Sequence, residues 1–105
     1  MKKFVFVYYG KGMSNTPKEE MKASMDRWMA WFGTFKEQMV DGGSPFTPDG
    51  KAVTAKGVTS VSKAATGYTI INAKDMDEAI SIAKTCPGLE EDNQGAVEVY
   101  EAMPM

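Results

Sequence analysis

The first patterned segment of the chain predicts a β-strand with two apolar faces. Residues 4–9 (FVFVYY) are all β-branched or aromatic, a composition typical of strands. Successive side chains of a strand point to opposite faces, so Phe4, Phe6 and Tyr8 share one face and the residues that alternate with them share the other. Both faces of the strand therefore need cover from water.

A helical pattern follows. Thr16 is typical of an N-cap, Pro17 of the first helical position and Glu19 of the return arm of a capping box. Apolar residues then recur at spacings of four and three, which at 100° per residue keeps them within about 40° of one line. We expect this line to be the core stripe, and residues 41–43 (DGG) to end the helix. The stripe consists of Met21, Met25, Trp28, Phe32, Phe35 and Met39.

Shorter elements are predicted in the second half of the chain. Residues 52–55 and 58–62 flank a Lys-Gly dipeptide, which favours a small hairpin. Residues 68–73 (YTIINA) predict a further strand, and Asp75 is a typical N-cap for a second helix. Proline and glycine at 87–88 should stop that helix.

Charged residues near the predicted helices receive a simple interpretation. Arg27 lies off the apolar stripe, and residues 90–92 form an acidic loop before a last strand at 96–102. We interpret both as solvated charges.

The order of elements predicts one α+β domain over residues 1–105. Two helices among strands in the order β, α, β or hairpin, β, α, β favour a ferredoxin-like fold, with both helices on one face of an antiparallel sheet. The other face would expose a larger apolar patch than monomers usually tolerate. We therefore expect a homodimer of the dimeric α+β barrel type, packed through the open sheet face and burying on the order of 1,600 Å².

Composition excludes several classes of function. A net charge of −2 and a pI near 5.1 give no basic patch for nucleic acid. No apolar run is long enough to span a membrane, which predicts a cytoplasmic protein without a membrane partner. The chain has no histidine, which removes the commonest general base, every Ser-His or Cys-His pair and any His metal site. We expect neither a metal nor a cofactor.

Three segments together resemble the YCII-related, or DGPF, domain family. They are residues 28–46 (WMAWFGTFKEQMVDGGSPF), 67–87 (GYTIINAKDMDEAISIAKTCP) and 95–100 (GAVEVY). The resemblance extends over nearly the whole chain. It implies a ferredoxin-like α+β fold and dimers with a cleft beside the sheet, in a family whose biochemical role is mostly unassigned.

The chain departs from that family at two places. Some members carry a histidine on the first helix, paired with an aspartate and proposed as catalytic, and the resemblance puts these positions at Trp31 and Asp41. An indole N–H only donates a hydrogen bond, so Trp31 cannot shuttle a proton. The Asp-Gly-Pro-Phe signature is also missing, because residues 60–63 (SVSK) run through the equivalent region.

Four residues are the candidates for a ligand site. Trp31 lies about 80° from the core line, which places it at the boundary between core and cleft. There it either covers the edge of the core or touches the dimer partner, or it forms a stacking wall for a small ligand. Asp41 either belongs to a helix end or faces the site, and Tyr8 and Tyr68 either pack or line the cleft with their hydroxyls.

The sequence leaves three functions open. The first is a homodimeric small-molecule-binding module with an aromatic-walled cleft. The second is a lyase or isomerase that acts on a small organic acid or lactone without histidine. It would use a tyrosine, or Asp41 with its pKa raised by burial beside indoles, as acid or base. The third is an accessory domain that binds only another protein.

Overall fold

The computed structural model describes residues 1–10, 17–91 and 94–104. These residues form a four-stranded antiparallel sheet with the strand order β2-β5-β1-β6 and a separate two-stranded hairpin, β3-β4. With the hairpin and the short third helix set aside, the order is the β-α-β-β-α-β of a ferredoxin-like fold. The elements are β1 (Lys2–Tyr9), α1 (Lys18–Thr34), β2 (Met39–Asp41), β3 (Lys51–Thr54), β4 (Gly57–Ser60), β5 (Ala65–Ala73), α2 (Met76–Ala83), α3 (Gly88–Glu91) and β6 (Ala96–Ala102).

The core lies between one face of the sheet and the helices. Phe4 and Phe6 of β1 are fully buried there, and the indole of Trp31 in α1 stacks on Phe6 with 6.3 Å between ring centroids. From α2, Ala79 and Ala83 complete the same cluster, because small side chains let the helix approach the strands closely. The α+β class and the antiparallel sheet with helices on one face are thus confirmed, whereas the dimeric barrel type remains a prediction.

The buried line of α1 differs from the predicted stripe. The residues of α1 and the turn after it that face the core are Ser24, Trp28, Trp31 and Phe35. At 100° per residue, the centre of this line is rotated by about 50° from the predicted one. The hydrophobic pattern missed it because one core position is a serine and because Met25, on the predicted stripe, faces out of the core.

Helix α1 also ends earlier than predicted. It stops at Thr34, and residues 39–41 form strand β2, in which Met39 pairs with Ile71 of β5. The prediction that residues 41–43 close the helix was therefore wrong. Gly33, a poor helix former at the actual end, was the available signal. The predicted N-cap Thr16 lies outside the described residues, and Pro17 occupies the N-cap position instead of the first helical turn.

The remaining elements follow the sequence closely. The hairpin predicted around the Lys-Gly dipeptide is present as β3 and β4, with Val53 opposite Val58. Asp75 caps α2 as expected, since its carboxylate accepts a hydrogen bond from the backbone N–H of Glu78 at 2.9 Å. The last strand has the predicted bounds. None of the helices in the described ranges is both long enough and apolar enough to cross a membrane.

The predicted acidic loop is partly helical. Residues 88–91 form α3, and Asp92 lies outside the described residues. Glu91 contacts α1, where its carboxylate accepts hydrogen bonds from Ser24 and Arg27. Arg27 is largely solvated as predicted, since its side chain is 55% exposed, although it pairs with Glu91. The interpretation of Glu91 as a solvated charge was wrong, because its side chain is 22% exposed and bonds to α1.

Candidate functional site

A cavity of about 610 Å³ lies between α1 and the end of the sheet where β1 stops and β5 begins. We call it the α1 cavity. Helix α1 forms one wall, and the segment 42–46 with the start of β5 forms the opposite wall. Tyr8 and Val97 contribute from the neighbouring strands, and Cys86, Gly88 and Glu91 from the segment after α2. The lining is mainly apolar, as in most small-molecule sites.

The α1 wall consists of methionine and aromatic side chains. Met25 and Met29 are 54% and 64% exposed, although both are large and apolar. Trp28 and Phe32 are half-buried, and their rings are 6.1 Å apart at 64°. Unbranched thioether side chains adapt to differently shaped ligands, whereas the rings present flat surfaces. This wall is suited to contact with a planar apolar molecule.

The opposite wall depends on a glycine. Gly43 has φ +78°, and a Cβ atom there would lie 1.7 Å from the backbone oxygen of Tyr68. Glycine is therefore required both by backbone conformation and by the close approach of the two segments. Phe46 lies three residues after Gly43 on the same wall, and its ring stacks on Tyr68 with 5.7 Å between ring centroids. Phe46 is 46% exposed, so one of its faces remains available to a ligand or partner.

A hydroxyl chain forms the buried floor beside β1. Tyr8 donates to the Thr69 hydroxyl at 2.7 Å, and Thr69 donates to the backbone oxygen of Gly42 at 3.0 Å. Burial raises the pKa of Tyr8 far above its ordinary value, although the hydrogen bond with Thr69 opposes the shift. The Tyr8 hydroxyl therefore stays protonated at neutral pH.

Glu91 is the one charged residue among the described residues that line the α1 cavity. Its Oε1 accepts from the Ser24 hydroxyl at 2.9 Å and lies 3.4 Å from the indole nitrogen of Trp28. Its Oε2 accepts from Arg27 Nε at 2.6 Å, and the two side chains form a salt bridge. Glu91 thus holds α3 against α1 and makes a long contact with the Trp28 indole.

Cys86 lines the cavity without the features of a nucleophile. Its side chain is 1% exposed, and burial raises the pKa of the thiol to about 11. A thiol that stays protonated at neutral pH is a weak nucleophile. Within residues 1–10, 17–91 and 94–104, no three His, Cys, Asp or Glu side chains come together in a way that could hold a metal ion.

The structure corrects the placement predicted for Trp31. Trp31 is 4% exposed and does not line the α1 cavity. Its indole nitrogen donates to the Thr85 hydroxyl at 2.8 Å, with the backbone oxygen of Ile82 at 3.3 Å. The boundary position predicted for Trp31 belongs to Trp28 instead, because the helix is rotated from the predicted stripe. Trp31 is a core residue.

The other three candidates lie close together. Tyr8 and Tyr68 both line the cavity, whereas Asp41 is exposed in β2 and does not. Asp41 accepts a hydrogen bond from the backbone N–H of Gly43 at 2.9 Å, and the Tyr68 hydroxyl donates to it at 3.3 Å. The burial beside indoles that an acid-base role for Asp41 required is absent. Asp41 instead supports two residues of the cavity wall.

Sequence reasoning missed most residues of the site. Met25, Trp28 and Phe32 were assigned to the core stripe and Glu91 to a solvated run, and Phe46 was noted only as the end of a resembling segment. The exposed methionines were a usable signal for Trp28, since the apolar residues of α1 span a wider arc than a core contact needs. Glu91 gave no such signal, because its contact with Ser24 joins residues 67 positions apart.

Comparison with known proteins supports the fold. No family model matches the chain, and no curated protein matches it. A similar solved structure is 5-chloro-2-hydroxyhydroquinone dehydrochlorinase from Burkholderia phenoliruptrix AC1100 in complex with 2,5-dihydroxybenzoquinone. The two are 15% identical with a TM-score of 0.62, over 96% of this chain and 93% of that one. At this identity the likeness supports an α+β fold consistent with the ferredoxin-like arrangement.

Proposed function

We propose that this protein is a small-molecule-binding module whose ligand is a small, planar and largely apolar compound held in the α1 cavity. The observation that carries the proposal is the cavity itself, about 610 Å³ with Met25, Trp28, Phe32 and Phe46 on two facing walls. That volume lies within the range of about 300–1,000 Å³ typical of ligand sites. The dehydrochlorinase of similar fold, solved with a dihydroxybenzoquinone, supports a small planar ring compound as the ligand.

The proposal includes a homodimer formed through the open face, the face of the sheet that carries Val5 and Val7. Val5 lies between Ile70 and Tyr100 of the neighbouring strands, which makes a continuous apolar stripe. Strand β1 has eight residues and the sheet four strands, which give a face of about 26 Å by 19 Å. The projected area of this face is roughly 500 Å². Its accessible surface is larger because side chains protrude from it, and so comes closer to the ~800 Å² per partner of a standard interface.

Membership of the YCII-related family is part of the same proposal. The three resembling segments contribute α1 with β2, β5 with α2, and β6, which are the elements around the α1 cavity and the sheet. A dimer with a cleft beside the sheet is what that resemblance implies.

An enzyme is the second candidate, favoured by the dehydrochlorinase of similar fold. Of the residues that the sequence proposed as acid or base, Tyr8 and Tyr68 line the cavity and Asp41 does not. The raised pKa of Tyr8 makes it a hydrogen-bond donor or acid rather than a base at neutral pH. Binding without chemistry therefore accounts for the site with fewer requirements.

A thermal-shift screen tests the binding function. The panel contains hydroquinone, 2,5-dihydroxybenzoquinone, naphthalene diols, lactones and aromatic acids. A ligand at 100 times its Kd adds about 2.7 kcal/mol, which for a domain of this size raises the melting temperature by roughly 10–20 °C. Met25→Glu places a charge on an exposed part of the α1 wall, so it should abolish the shift and leave the unliganded melting temperature nearly unchanged.

The matched control is Val53→Glu, which places the same charge on the exposed hairpin, away from the cavity. It should retain the ligand shift. A shift that survives Met25→Glu would place the ligand elsewhere, and the proposal for the α1 cavity would fail. Turnover of any binding compound, measured by absorbance and lost in Tyr8→Phe, would favour the enzyme instead.

A further inference from the structure

We infer that Glu91 makes the α1 cavity selective for uncharged ligands that carry a hydroxyl donor, and that it disfavours carboxylates. This inference rests on the proposed binding function and specifies its ligand class. This ligand class excludes the organic acids considered for the enzyme alternative, because Glu91, the charged side chain among the described lining residues, is negative.

The position of the carboxylate is the first step. Oε1 of Glu91 bonds to Ser24 and approaches Trp28, and both of these residues line the cavity. Oε2 bonds to Arg27, which does not line the cavity and whose side chain is 55% exposed. The negative end of the ion pair therefore faces the cavity, and the positive end faces solvent.

The second step is the hydrogen-bonding capacity of that oxygen. A carboxylate offers about four lone-pair sites in total, and Oε1 already uses one strongly, for the 2.9 Å bond from Ser24. The indole contact at 3.4 Å is long and leaves room for a shorter bond from a ligand. The Glu91 side chain is 22% exposed, so a ligand in the cavity can reach it without first breaking the salt bridge.

The third step is that the described lining residues include no cation that could pair with a ligand carboxylate. Among the described lining residues, the remaining side chains are aromatic, aliphatic, thioether, thiol or hydroxyl, and the cation that pairs with Glu91, Arg27, lies outside this lining. A ligand carboxylate next to Oε1 would meet a like charge in a partly desolvated site. A ligand hydroxyl would instead donate to an ionised acceptor, which is among the stronger hydrogen bonds in proteins.

A matched ligand series tests the inference on the wild-type protein. Naphthalene-2,6-diol, 2,6-dimethoxynaphthalene and 6-hydroxy-2-naphthoate share one ring system and differ in donor and charge. We expect the diol to bind at least about tenfold more tightly than the ether and the naphthoate, as measured by calorimetry at pH 7.5.

Variants then assign the selectivity to one carboxylate. Glu91→Gln keeps an oxygen acceptor and removes the charge, so the preference for the diol over the naphthoate should fall to within about threefold. Glu90→Gln removes the same charge from the adjacent exposed position of α3 and should leave the preference unchanged. Circular dichroism confirms that each variant is folded before binding is measured.

The outcomes separate the inference from the function on which it rests. Equal affinity of the wild-type protein for diol and naphthoate overturns the inference while the binding function stands. An unchanged preference in Glu91→Gln overturns the role of Glu91 in the same way. Failure of every member of the series and of the wider panel to bind overturns the binding function itself. A preference that falls in Glu91→Gln and survives in Glu90→Gln supports both.

Discussion

Replacement of Trp31 by alanine tests which face of α1 packs against the core. Trp31 packs against Phe6 and Phe35 and is 4% exposed, so the change removes a complete buried indole. Large-to-small changes of this kind cost about 3–5 kcal/mol. The backbone oxygen of Ile82 keeps a hydrogen bond after the indole is removed, because the Thr85 hydroxyl also donates to it at 2.8 Å. The loss of packing therefore dominates the cost.

The expected change in melting temperature follows from the size of the domain. At about 4–8 °C per kcal/mol for a domain of this length, Trp31→Ala should lower the midpoint by on the order of 12–40 °C. Trp31→Phe keeps an aromatic ring and loses the indole N–H, so its cost should be about 1–2 kcal/mol. Far-ultraviolet circular dichroism during heating and urea titration measures both.

Trp28 provides the matched comparison on the same helix. Its side chain is half-buried and lines the α1 cavity, so Trp28→Ala should cost less stability, about 1–3 kcal/mol, but abolish ligand shifts. Trp31→Phe should retain those shifts. The opposite pattern, with Trp31→Ala nearly as stable as wild type and unable to bind, would mean that Trp31 forms the cavity wall and that the described phase of α1 is wrong.

Three further predictions concern the wall, the open face and the thiol. Gly43→Ala should destabilise the protein by about 2 kcal/mol or more and weaken ligand binding, because its Cβ would lie 1.7 Å from a backbone carbonyl oxygen. In the same melting experiment Gly33→Ala should be neutral or slightly stabilising, because a Cβ at Gly33 would have no atom within 4 Å. Val7→Lys should convert a dimer to a monomer in sedimentation at micromolar concentration, whereas Val53→Lys should not, and a wild-type protein that sediments only at 11.5 kDa would remove the dimer. Cys86 should react slowly with a disulfide reagent at pH 8 and rapidly in denaturant. Its pKa of about 11 keeps the thiol of the folded protein protonated until the pH approaches that value. Rapid reaction without denaturant would show that the thiol is accessible.

Local signals in the sequence account for most of the fold. The strand at the amino terminus, the hairpin around the Lys-Gly dipeptide and the cap at Asp75 depend on residues that are neighbours in the chain, and each is present. Strand β2 was missed because Met39 continues the apolar helical spacing, and only pairing with Ile71 in β5 makes Met39 part of a strand. That pairing is a tertiary effect, which intrinsic propensity does not record.

The site was harder to predict because it depends on contacts between distant segments. The wall at Gly43 is set by the backbone of Tyr68, and the position of Glu91 is set by Ser24 and Arg27 in another helix. The sequence left open whether Tyr8 and Tyr68 pack or line a cleft, and both lie at the cavity because their ends of β1 and β5 pair in the sheet. Whether either tyrosine contacts a ligand stays a prediction.

The crowding of apolar residues in α1 has a structural explanation, because one helix serves two apolar surfaces. Trp31 and Phe35 face the core, Met25 and Met29 face the cavity, and Ser24 and Trp28 lie between these two sets. A serine is tolerated in the core line because Glu91 satisfies its hydroxyl, and the same carboxylate supplies the polar contact of the cavity. The exposed methionines would be unfavourable on a helix that only supported a core, since each leaves apolar surface in water. The ligand proposed for the α1 cavity would cover them and recover that free energy.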